Sequence, residues 1–428
     1  MRIFAATRFS TLVVLSAAVL PRLVLLVHER GSILSAFTEK SDDFARTFVA
    51  TGTYGYAPGI PSAYTQPLYG WFLIPLYWID RNWALVGMAQ IAVAACTALV
   101  VLSIGRRYLG GRAAVAAALL STLNPYLIWH DVHINREILD QLIAAGLFLL
   151  VLGAARAGTL WLAAAIGAVS GLALLGNARL VAFPLVLAAF LAWHQRKRAV
   201  ALVGVLLACT VLVLLPWLVR NRVQVGCWAI TTDAHALWKA NNVNTYPILA
   251  AGKWIDDVPP LPGAPTITPE YERDFYKNHE PVPHVDECAQ MRLYQHATIT
   301  FWREHPGGKA KLMGQATEML WSPKQTRTQG GPEASAGTFR QWVEAVWAIP
   351  VYVLALVGLF VVPRMFASLA LLFLLYNSAA AWLFAGATRY RVTFDFVLAL
   401  LAGAAIDRLS RRLRYRRSTP AAAASAEN

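Results

Sequence analysis

The chain alternates long apolar runs with short polar connections. A membrane-spanning helix needs about 20 mostly apolar residues, and the chain contains a series of runs that reach or approach that length. They lie at residues 9–28, 82–104, 113–129, 137–155, 160–175, 180–193, 199–218, 344–362, 366–384 and 391–407. This pattern predicts an all-α polytopic membrane protein with about ten transmembrane helices.

Two further features of the apolar pattern need separate interpretation. Residues 9–28 follow basic residues, as a signal peptide would, but the run is long and further spans follow it, so we expect a retained first span. Residues 68–79 reach only about half the length of a span. They are rich in Trp and Tyr, which favours an amphipathic helix at the membrane interface.

Basic residues fall on alternate connections between the apolar runs. By the positive-inside rule these connections face the cytoplasm. The first loop, residues 29–81, and the long segment 219–343 are then extracytoplasmic. The basic connections contain Arg106, Arg107 and Arg112, then Arg156, the stretch His194–Arg198, Arg364, and the stretch Arg408–Arg417.

The same pattern divides the chain into four parts. We predict an N-terminal transmembrane module at residues 1–218, which includes the first loop, and an extracytoplasmic subdomain at 219–343. C-terminal transmembrane helices follow at 344–407. Residues 408–428 are predicted to be a cytoplasmic tail that is basic at first and disordered from residue 418.

Composition agrees with this architecture. The chain has 428 residues, of which 57% are hydrophobic and 14% are charged, and its mean hydropathy is +0.47. These values exclude an ordinary soluble protein. The net charge is +14, but the basic residues follow the topological pattern, so we expect no nucleic-acid partner. Cys227 and Cys288 both lie in segment 219–343, where they either form a disulfide or stay free.

The first loop carries two adjacent acids, Asp42 and Asp43. Two interpretations are open. Acids in the first turn of a helix capped by Ser41 are favoured by the helix dipole. Alternatively, they supply a general base, or ligands for a divalent metal, at the membrane surface.

Five arginines stand near the ends of predicted spans, on the side opposite to the basic connections. Each alone is an ordinary interfacial arginine. Together they indicate a pocket for an anion, most simply a lipid phosphate, because the guanidinium fork matches phosphate oxygens. Glu137 is either a second functional acid or a partner of its neighbour. The five arginines are Arg136, Arg179, Arg220, Arg389 and Arg391.

Other polar and aromatic residues fit a sugar or a structural role. Tyr54 and Tyr64 either stack on sugar rings or belong to the membrane interface. Asn241 and Asn242 either contact a sugar or acceptor or make a turn. The sequence has no cofactor-binding motif and no clear metal-ligand spacing. We therefore predict no cofactor beyond an optional divalent metal at the two first-loop acids.

Five pieces of sequence carry a resemblance to a known family. They are Ser41-Asp42 with Ala50–Gly55 and Pro67–Tyr69; Asn124-Pro125 with Asn135–Asp140; Arg179 with Pro184; Leu215–Asn221 with Gly226, Trp238, Asn241 and Asn242; and Arg389–Arg391. In this order they resemble the GT-C superfamily of integral-membrane glycosyltransferases. The most similar family within it is a bacterial one that also resembles protein O-mannosyltransferases and the lipid A aminoarabinose transferase.

The resemblance implies a transferase that takes a sugar from a polyprenyl-phosphate donor. The acceptor would be an extracytoplasmic protein, lipid or glycan, and a single displacement would invert the anomeric carbon. An Asp of the first loop, matched by Asp42 or its neighbour Asp43, is expected to act as the base, and the arginines to bind the donor phosphate. The family also implies the bacterial cytoplasmic membrane, with the site facing the periplasm or the outside. The chain departs from the family pattern at Arg46, where an aromatic residue is usual, and at Gly70, where proline is usual.

A transporter or flippase for a lipid or a lipid-linked sugar is the alternative class. Transporters place functional charges near the bilayer midplane, often in repeated halves. Here the mid-span positions are almost wholly apolar, and no halves repeat. These features favour the enzyme.

Overall fold

The computed structural model describes residues 2–35, 40–324 and 338–424. Within these ranges the chain is almost wholly helical, and extended pairing is limited to one bridge between Ala57 and Ile60 in the first loop. The predicted all-α membrane architecture is therefore confirmed.

The α-helices of the described ranges follow one another in this order. They are α1 (Arg2–His28), α2 (Lys40–Thr51), α3 (Pro67–Ile79), α4 (Trp83–Tyr108), α5 (Gly111–Thr122), α6 (Pro125–His130), α7 (Glu137–Ala157), α8 (Leu160–Gly176), α9 (Phe183–His194), α10 (Ala199–Gln224), α11 (His235–Lys239), α12 (Thr245–Ala250), α13 (Pro269–Lys277), α14 (Glu287–Glu304), α15 (Pro306–Trp321), α16 (Thr338–Leu359), α17 (Arg364–Leu383), α18 (Thr388–Arg391) and α19 (Asp395–Ala424).

Six stretches in the described ranges are long and apolar enough to cross a membrane. The chain is therefore an integral membrane protein, whereas the number of ten spans stays a prediction. The six are Arg8–His28, Trp83–Tyr108, Glu137–Ala157, Arg196–Gln224, Trp342–Leu359 and Arg364–Leu383, and the shorter apolar ones are Gly111–Thr122, Leu160–Gly176 and Ala178–His194.

One predicted span, residues 113–129, is wrong as a single helix. Helix α5 ends at Thr122, and α6 begins only at Pro125. A residue that precedes proline is pushed out of the helical conformation. The side chain of Asn124 instead caps α6, since its Oδ1 accepts hydrogen bonds from the backbone N–H groups of Tyr126 (2.9 Å) and Leu127 (3.3 Å).

The boundaries of the predicted parts also differ in places. Helix α19 runs to Ala424, so most of the tail expected to be disordered from residue 418 is helical. Residues 425–428 lie outside the described residues. Helix α10 continues past the predicted boundary at 218 to Gln224, and the division of the chain into four parts stays a prediction.

Two neighbouring contacts shape segment 219–343, and the second joins it to the first loop. A disulfide joins Cys227, just after α10, to Cys288 in α14. Of the two alternatives for these cysteines, a disulfide or free thiols, the structure has the disulfide. The carboxylate of Glu287 accepts hydrogen bonds from the backbone N–H of Ala63 (3.0 Å) and from the hydroxyl of Thr232 (2.7 Å). The first loop is therefore docked onto this segment.

Helices α8 and α10 pack closely because glycines lie where they cross. A Cβ added at Gly167 would lie 2.2 Å from the carbonyl oxygen of Leu206, and one added at Gly171 would lie 2.7 Å from Cβ of Val213. The hydroxyl of Thr210 also donates a hydrogen bond to the carbonyl of Gly167 at 3.1 Å. Small residues thus let two membrane helices bring their backbones together.

We predict that Gly167→Ala destabilises the protein. The new methyl group would meet backbone, which must shift, and overpacking of this kind costs about 1–3 kcal/mol. Gly204→Ala in α10 is the matched control, because a Cβ there meets nothing within 4 Å and alanine is the better helix former. Thermal unfolding of both variants in detergent checks the prediction, which is contradicted if Gly167→Ala unfolds no earlier than Gly204→Ala.

A buried acid in α13 makes the stability of the protein depend on pH. Glu272 is 1% exposed, and its Oε2 has no hydrogen-bond partner among the described residues. Burial, with a smaller contribution from the charge of Glu287, raises the pKa of Glu272 from 4.5 to about 8. Because the folded state holds this proton more tightly than the unfolded state, stability is lost as the pH rises from about 4.5 through about 8.

We predict that Glu272→Gln removes this loss. Glutamine resembles the protonated acid, so the variant should match the wild type near pH 5 and unfold at a higher temperature than the wild type at pH 8.5. Unfolding temperatures of both proteins between pH 5 and 9 give the measurement, with the exposed Glu280→Gln as control. A difference that does not change with pH would show that Glu272 does not titrate in this window.

Candidate functional site

A cavity of about 230 Å³ lies where several helix ends meet. Its wall includes Arg136 from the start of α7, Arg179 from the turn after α8, and Tyr390 from α18. Gln66 of the first loop and Asp233 of segment 219–343 complete the polar part of this wall, together with Asn177, Thr231 and Gln295. The cavity therefore joins the ends of the transmembrane helices to the first loop and the large segment.

Arg179 enters the cavity from a short 3-10 turn between α8 and α9. Asn177 shapes this turn: its Oδ1 accepts a hydrogen bond from the backbone N–H of Arg179 at 3.1 Å, and its Nδ2 donates to Asp140 at 2.8 Å. A side chain at position 176 would crowd this bond, because a Cβ on Gly176 would lie 3.1 Å from Oδ1 of Asp140. The local sequence thus holds the backbone of Arg179 in one position.

The guanidinium of Arg179 is buried but incompletely satisfied. Nη1 donates to the carbonyl of Ala385 at 3.0 Å, and the guanidinium carbon lies 3.8 Å from the centroid of the Tyr390 ring. Nη2 has no hydrogen-bond partner among the described residues, although the residue is only 8% exposed. An unsatisfied buried donor with a full charge is costly, so this group is prepared to bind an anion.

Two more arginines lie beside Arg179. Arg136 donates to Oε1 of Gln66 at 2.7 Å. Arg389 donates from Nε (2.8 Å) and Nη2 (2.6 Å) to Oε1 of Glu137 in the first turn of α7. Both arginines are close enough to Arg179 to repel it. Three guanidinium groups therefore converge with one carboxylate between them, and this part of the site carries an excess of positive charge.

His130 lies buried next to this cluster. Its Nε2 is 3.7 Å from Oε2 of Glu137, and neither ring nitrogen has a hydrogen-bond partner among the described residues. Burial lowers the pKa of His130 to about 3, although Glu137 opposes the shift. The ring is therefore neutral and can donate one hydrogen bond and accept another. In the described ranges, no group of three or more His, Cys, Asp or Glu side chains is arranged to hold a metal ion.

The two first-loop acids lie near the start of α2 and have different partners. Asp42 is 1% exposed and accepts hydrogen bonds from Nε (3.1 Å) and Nη2 (2.9 Å) of Arg81 and from the hydroxyl of Tyr77. Asp43 is paired with Arg273 at 3.2 Å. Neither acid is among the residues that line the cavity, so the structure does not place them beside Arg179.

Two of the five predicted phosphate-binding arginines are engaged elsewhere. Arg391 is 0% exposed, lies 3.2 Å from Asp395 and also contacts the carboxylate of Glu344. Arg220 donates to the backbone carbonyls of Ser62 (2.7 Å) and Tyr54 (2.8 Å). Both side chains connect parts of the fold, and the structure does not bring them to the cavity.

The residues predicted to contact a sugar have structural partners. Tyr54 is buried against Phe44 and donates to the carbonyl of Pro67 at 3.2 Å. Asn241 donates to the carbonyl of Leu383 at 2.8 Å.

The other two predicted contacts are also buried. Asn242 donates to the carbonyl of Trp238 at 3.0 Å. The ring of Tyr64 lies under the ammonium of Lys40, which is 4.2 Å from the ring centroid. These contacts join loops to helices and leave little of the side chains for a ligand.

Sequence reasoning missed several residues of this region. Tyr390 lies between Arg389 and Arg391, both of which were predicted site residues. Its ring stacks on Arg179 because it belongs to α18, a short helix that the apolar pattern does not predict. Arg81 follows α3 and becomes the partner of Asp42 only through the fold. Asp233 and Lys40 carry no local motif. Their separation of 193 residues in sequence leaves no signal for their 2.7 Å contact.

Comparisons with known proteins bear on the fold. Neither family models nor curated proteins give a match. The archaeal oligosaccharyltransferase AglB from Archaeoglobus fulgidus, in complex with an inhibitory peptide and a dolichol-phosphate, matches with a TM-score of 0.55 and 13% identity. The match covers 97% of this chain and 52% of AglB, so the chain spans about half the length of that protein.

ArnT from Cupriavidus metallidurans also matches, with lower scores. The structure bound to undecaprenyl phosphate has a TM-score of 0.37 at 15% identity and covers 90% of this chain and 78% of ArnT. The apo structure has a TM-score of 0.33 at 17% identity and covers 86% and 72%. The likeness to AglB, an oligosaccharyltransferase, shows that this chain shares the fold of that protein, and it concerns the fold alone.

Proposed function

We propose that the chain is a membrane glycosyltransferase that moves a sugar from a polyprenyl-phosphate donor to an extracytoplasmic protein, lipid or glycan. The observation that carries this proposal is that Arg136 and Arg179 line one small cavity, with Arg389 close enough to repel Arg179. The three come from separate elements, and Nη2 of the buried Arg179 has no hydrogen-bond partner among the described residues. The donor phosphate, a diester with one negative charge that leaves as a dianionic monoester, would bring negative charge to these guanidinium groups.

A lipid is the natural carrier for this phosphate. The cavity lies at the ends of apolar helices, so an attached polyprenyl chain can extend along the bundle while its phosphate meets the arginines. The shared fold supports this proposal, since the structure of AglB contains a dolichol-phosphate. The donor phosphate would then bind at Arg136 and Arg179, with Arg389 behind them held by Glu137.

The chemistry follows from this placement. An acceptor oxygen or nitrogen attacks the anomeric carbon, the bond from that carbon to the phosphate oxygen breaks, and polyprenyl phosphate leaves with the bonding electrons. Fixed guanidinium groups stabilise the negative charge that develops on the leaving phosphate, and loss of one such contact typically costs about 3–4 kcal/mol. Displacement from the opposite face inverts the anomeric carbon.

A first-loop carboxylate is proposed to take the acceptor proton. Asp42 suits this role because Arg81 and Tyr77 hold it in one orientation. A carboxylate offers about four lone-pair sites, and the contacts with these two residues leave Oδ2 able to accept a proton. Asp43, its neighbour, is the second candidate. In this proposal the site faces the outside of a bacterial cytoplasmic membrane.

We predict that the arginines of the cavity bind lipid phosphate. Arg179→Met should weaken binding of polyprenyl phosphate by roughly ten- to hundredfold, because a hydrogen bond to a charged group is lost. Arg222→Met is the control, since Arg222 is exposed at the end of α10. Binding is measured on purified protein in lipid nanodiscs. Equal affinity in wild type and Arg179→Met would contradict the phosphate site.

We predict that wild-type protein releases polyprenyl phosphate from one member of a panel of polyprenyl-phosphate sugars when a cell-envelope extract supplies the acceptor. Asp42→Asn should abolish release yet keep donor binding, because an amide cannot take the acceptor proton and Asp42 does not line the phosphate cavity. Asp43→Asn tests the neighbouring acid. If this variant alone loses release, the base is Asp43 and not Asp42. Tight donor binding without release by the wild type would favour a flippase.

A further inference from the structure

Asp233 is the carboxylate among the residues that line the cavity, within the part of the chain that the structure describes. It lies in segment 219–343, just before α11. Its Oδ1 accepts a hydrogen bond from the backbone N–H of Ala236 at 3.2 Å, and its Oδ2 accepts one from the ammonium of Lys40 at 2.7 Å. The side chain keeps 17% of its surface exposed, so it has room for another partner.

Lys40 connects this carboxylate to the first loop. It is the first residue of α2, the helix that carries Asp42 and Asp43, and it also pairs with Glu270 at 2.9 Å. Burial opposes the charge of Lys40, but the carboxylates of Asp233 and Glu270 raise its pKa well above the usual value. Burial likewise opposes the charge of Asp233, whose pKa Lys40 nevertheless lowers. The pair therefore remains ionised.

We infer that Asp233 binds hydroxyl groups of the donor sugar. This inference rests on the proposed function. A sugar is bonded directly to the phosphate, so with the phosphate at Arg136 and Arg179 the ring must occupy the rest of the 230 Å³ cavity. An ionised carboxylate only accepts hydrogen bonds, and sugar hydroxyls donate them. Gln66 and Gln295 line the same cavity and supply amide groups for the remaining hydroxyls.

The position of Asp233 makes it a determinant of specificity. A site whose carboxylate accepts a hydrogen bond from a sugar hydroxyl discriminates against a sugar that lacks this hydroxyl. The carboxylate of Asp233 would then be left without that partner. The arginines would act on the phosphate that every donor shares, and Asp233 would act on the sugar that distinguishes one donor from another. Lys40, which contacts Asp233, lies two residues before Asp42 in α2. The proposed sugar contact is therefore linked to the helix that carries Asp42.

The experiment compares two ligands of the full-length protein in nanodiscs. One is polyprenyl phosphate, and the other is the tightest-binding member of a panel of polyprenyl-phosphate hexoses and pentoses. We expect Asp233→Asn to weaken binding of the sugar-bearing lipid by roughly ten- to hundredfold and to leave binding of polyprenyl phosphate unchanged. Asparagine can keep the hydrogen bond from Ala236 through its Oδ1, while it removes the charge and replaces Oδ2 with an amide NH2 group.

A matched control separates this effect from a loss of structure. Asp286, the N-cap of α14, makes a similar contact, since its side chain accepts a hydrogen bond from the backbone N–H of the residue three further on, Ala289, at 2.8 Å, but it does not line the cavity. Asp286→Asn should therefore change neither affinity. Lys40→Gln should weaken the sugar-bearing lipid selectively, as Asp233→Asn does, because it removes the charge that orients the carboxylate.

The possible outcomes are distinct. If Asp233→Asn leaves both affinities unchanged, or lowers both equally, the sugar contact is refuted while the phosphate site can stand. If the wild type binds the sugar-bearing lipid no more tightly than polyprenyl phosphate, the inference is also refuted. If the wild type binds neither lipid, the proposed function fails and the inference fails with it.

Discussion

A charged side chain buried among apolar helices must find a counter-charge or a set of carbonyl groups, because no water is available to replace them. Most of the buried arginines obey this constraint within the fold. Arg22 in α1 donates to Asp131 from Nε at 2.9 Å and to the carbonyl of Thr122 at 3.0 Å. Arg391 has two carboxylates. Arg179 departs from this rule, and this departure marks the cavity as a place where a ligand completes the charge balance.

The cavity also depends on how the first loop is held against the large segment. Glu287, Arg220 and Lys40 each cross between these two parts, through Ala63, Ser62 and Asp233 respectively. Each contact joins a charged group to a polar partner far away in sequence. Each charged group also has a second partner, namely Thr232 for Glu287, the Tyr54 carbonyl for Arg220 and Glu270 for Lys40. The wall of the cavity is therefore maintained by electrostatic contacts as well as by helix packing.

Apolar length was enough to predict most of the helices, because a span must cover the bilayer with residues that need no water. The pattern failed at Asn124–Pro125, where hydrophobicity continues but the backbone cannot remain helical. The same pattern drew attention to Arg136, Arg179 and Arg389, which lie near one another in the fold, and equally to Arg220 and Arg391, which have partners elsewhere. The roles of Arg220 and Lys40 depend on partners more than 150 residues away, and no local pattern contains that information.

Residues 389–391 show how one short helix distributes neighbouring side chains among separate roles. Successive residues of a helix point about 100° apart, so α18 directs Arg389 to Glu137, the ring of Tyr390 to the guanidinium of Arg179, and Arg391 to Glu344. The contact of Tyr390 with Arg179 lies in the cavity wall, that of Arg389 lies beside it, and the third anchors α18 to α16. Because the anchor is buried and doubly paired with acids, it holds the backbone that positions the other two. From the sequence alone, Arg389 and Arg391 looked equivalent. The helical geometry instead directs Arg389 toward the candidate site and uses Arg391 to support the helix.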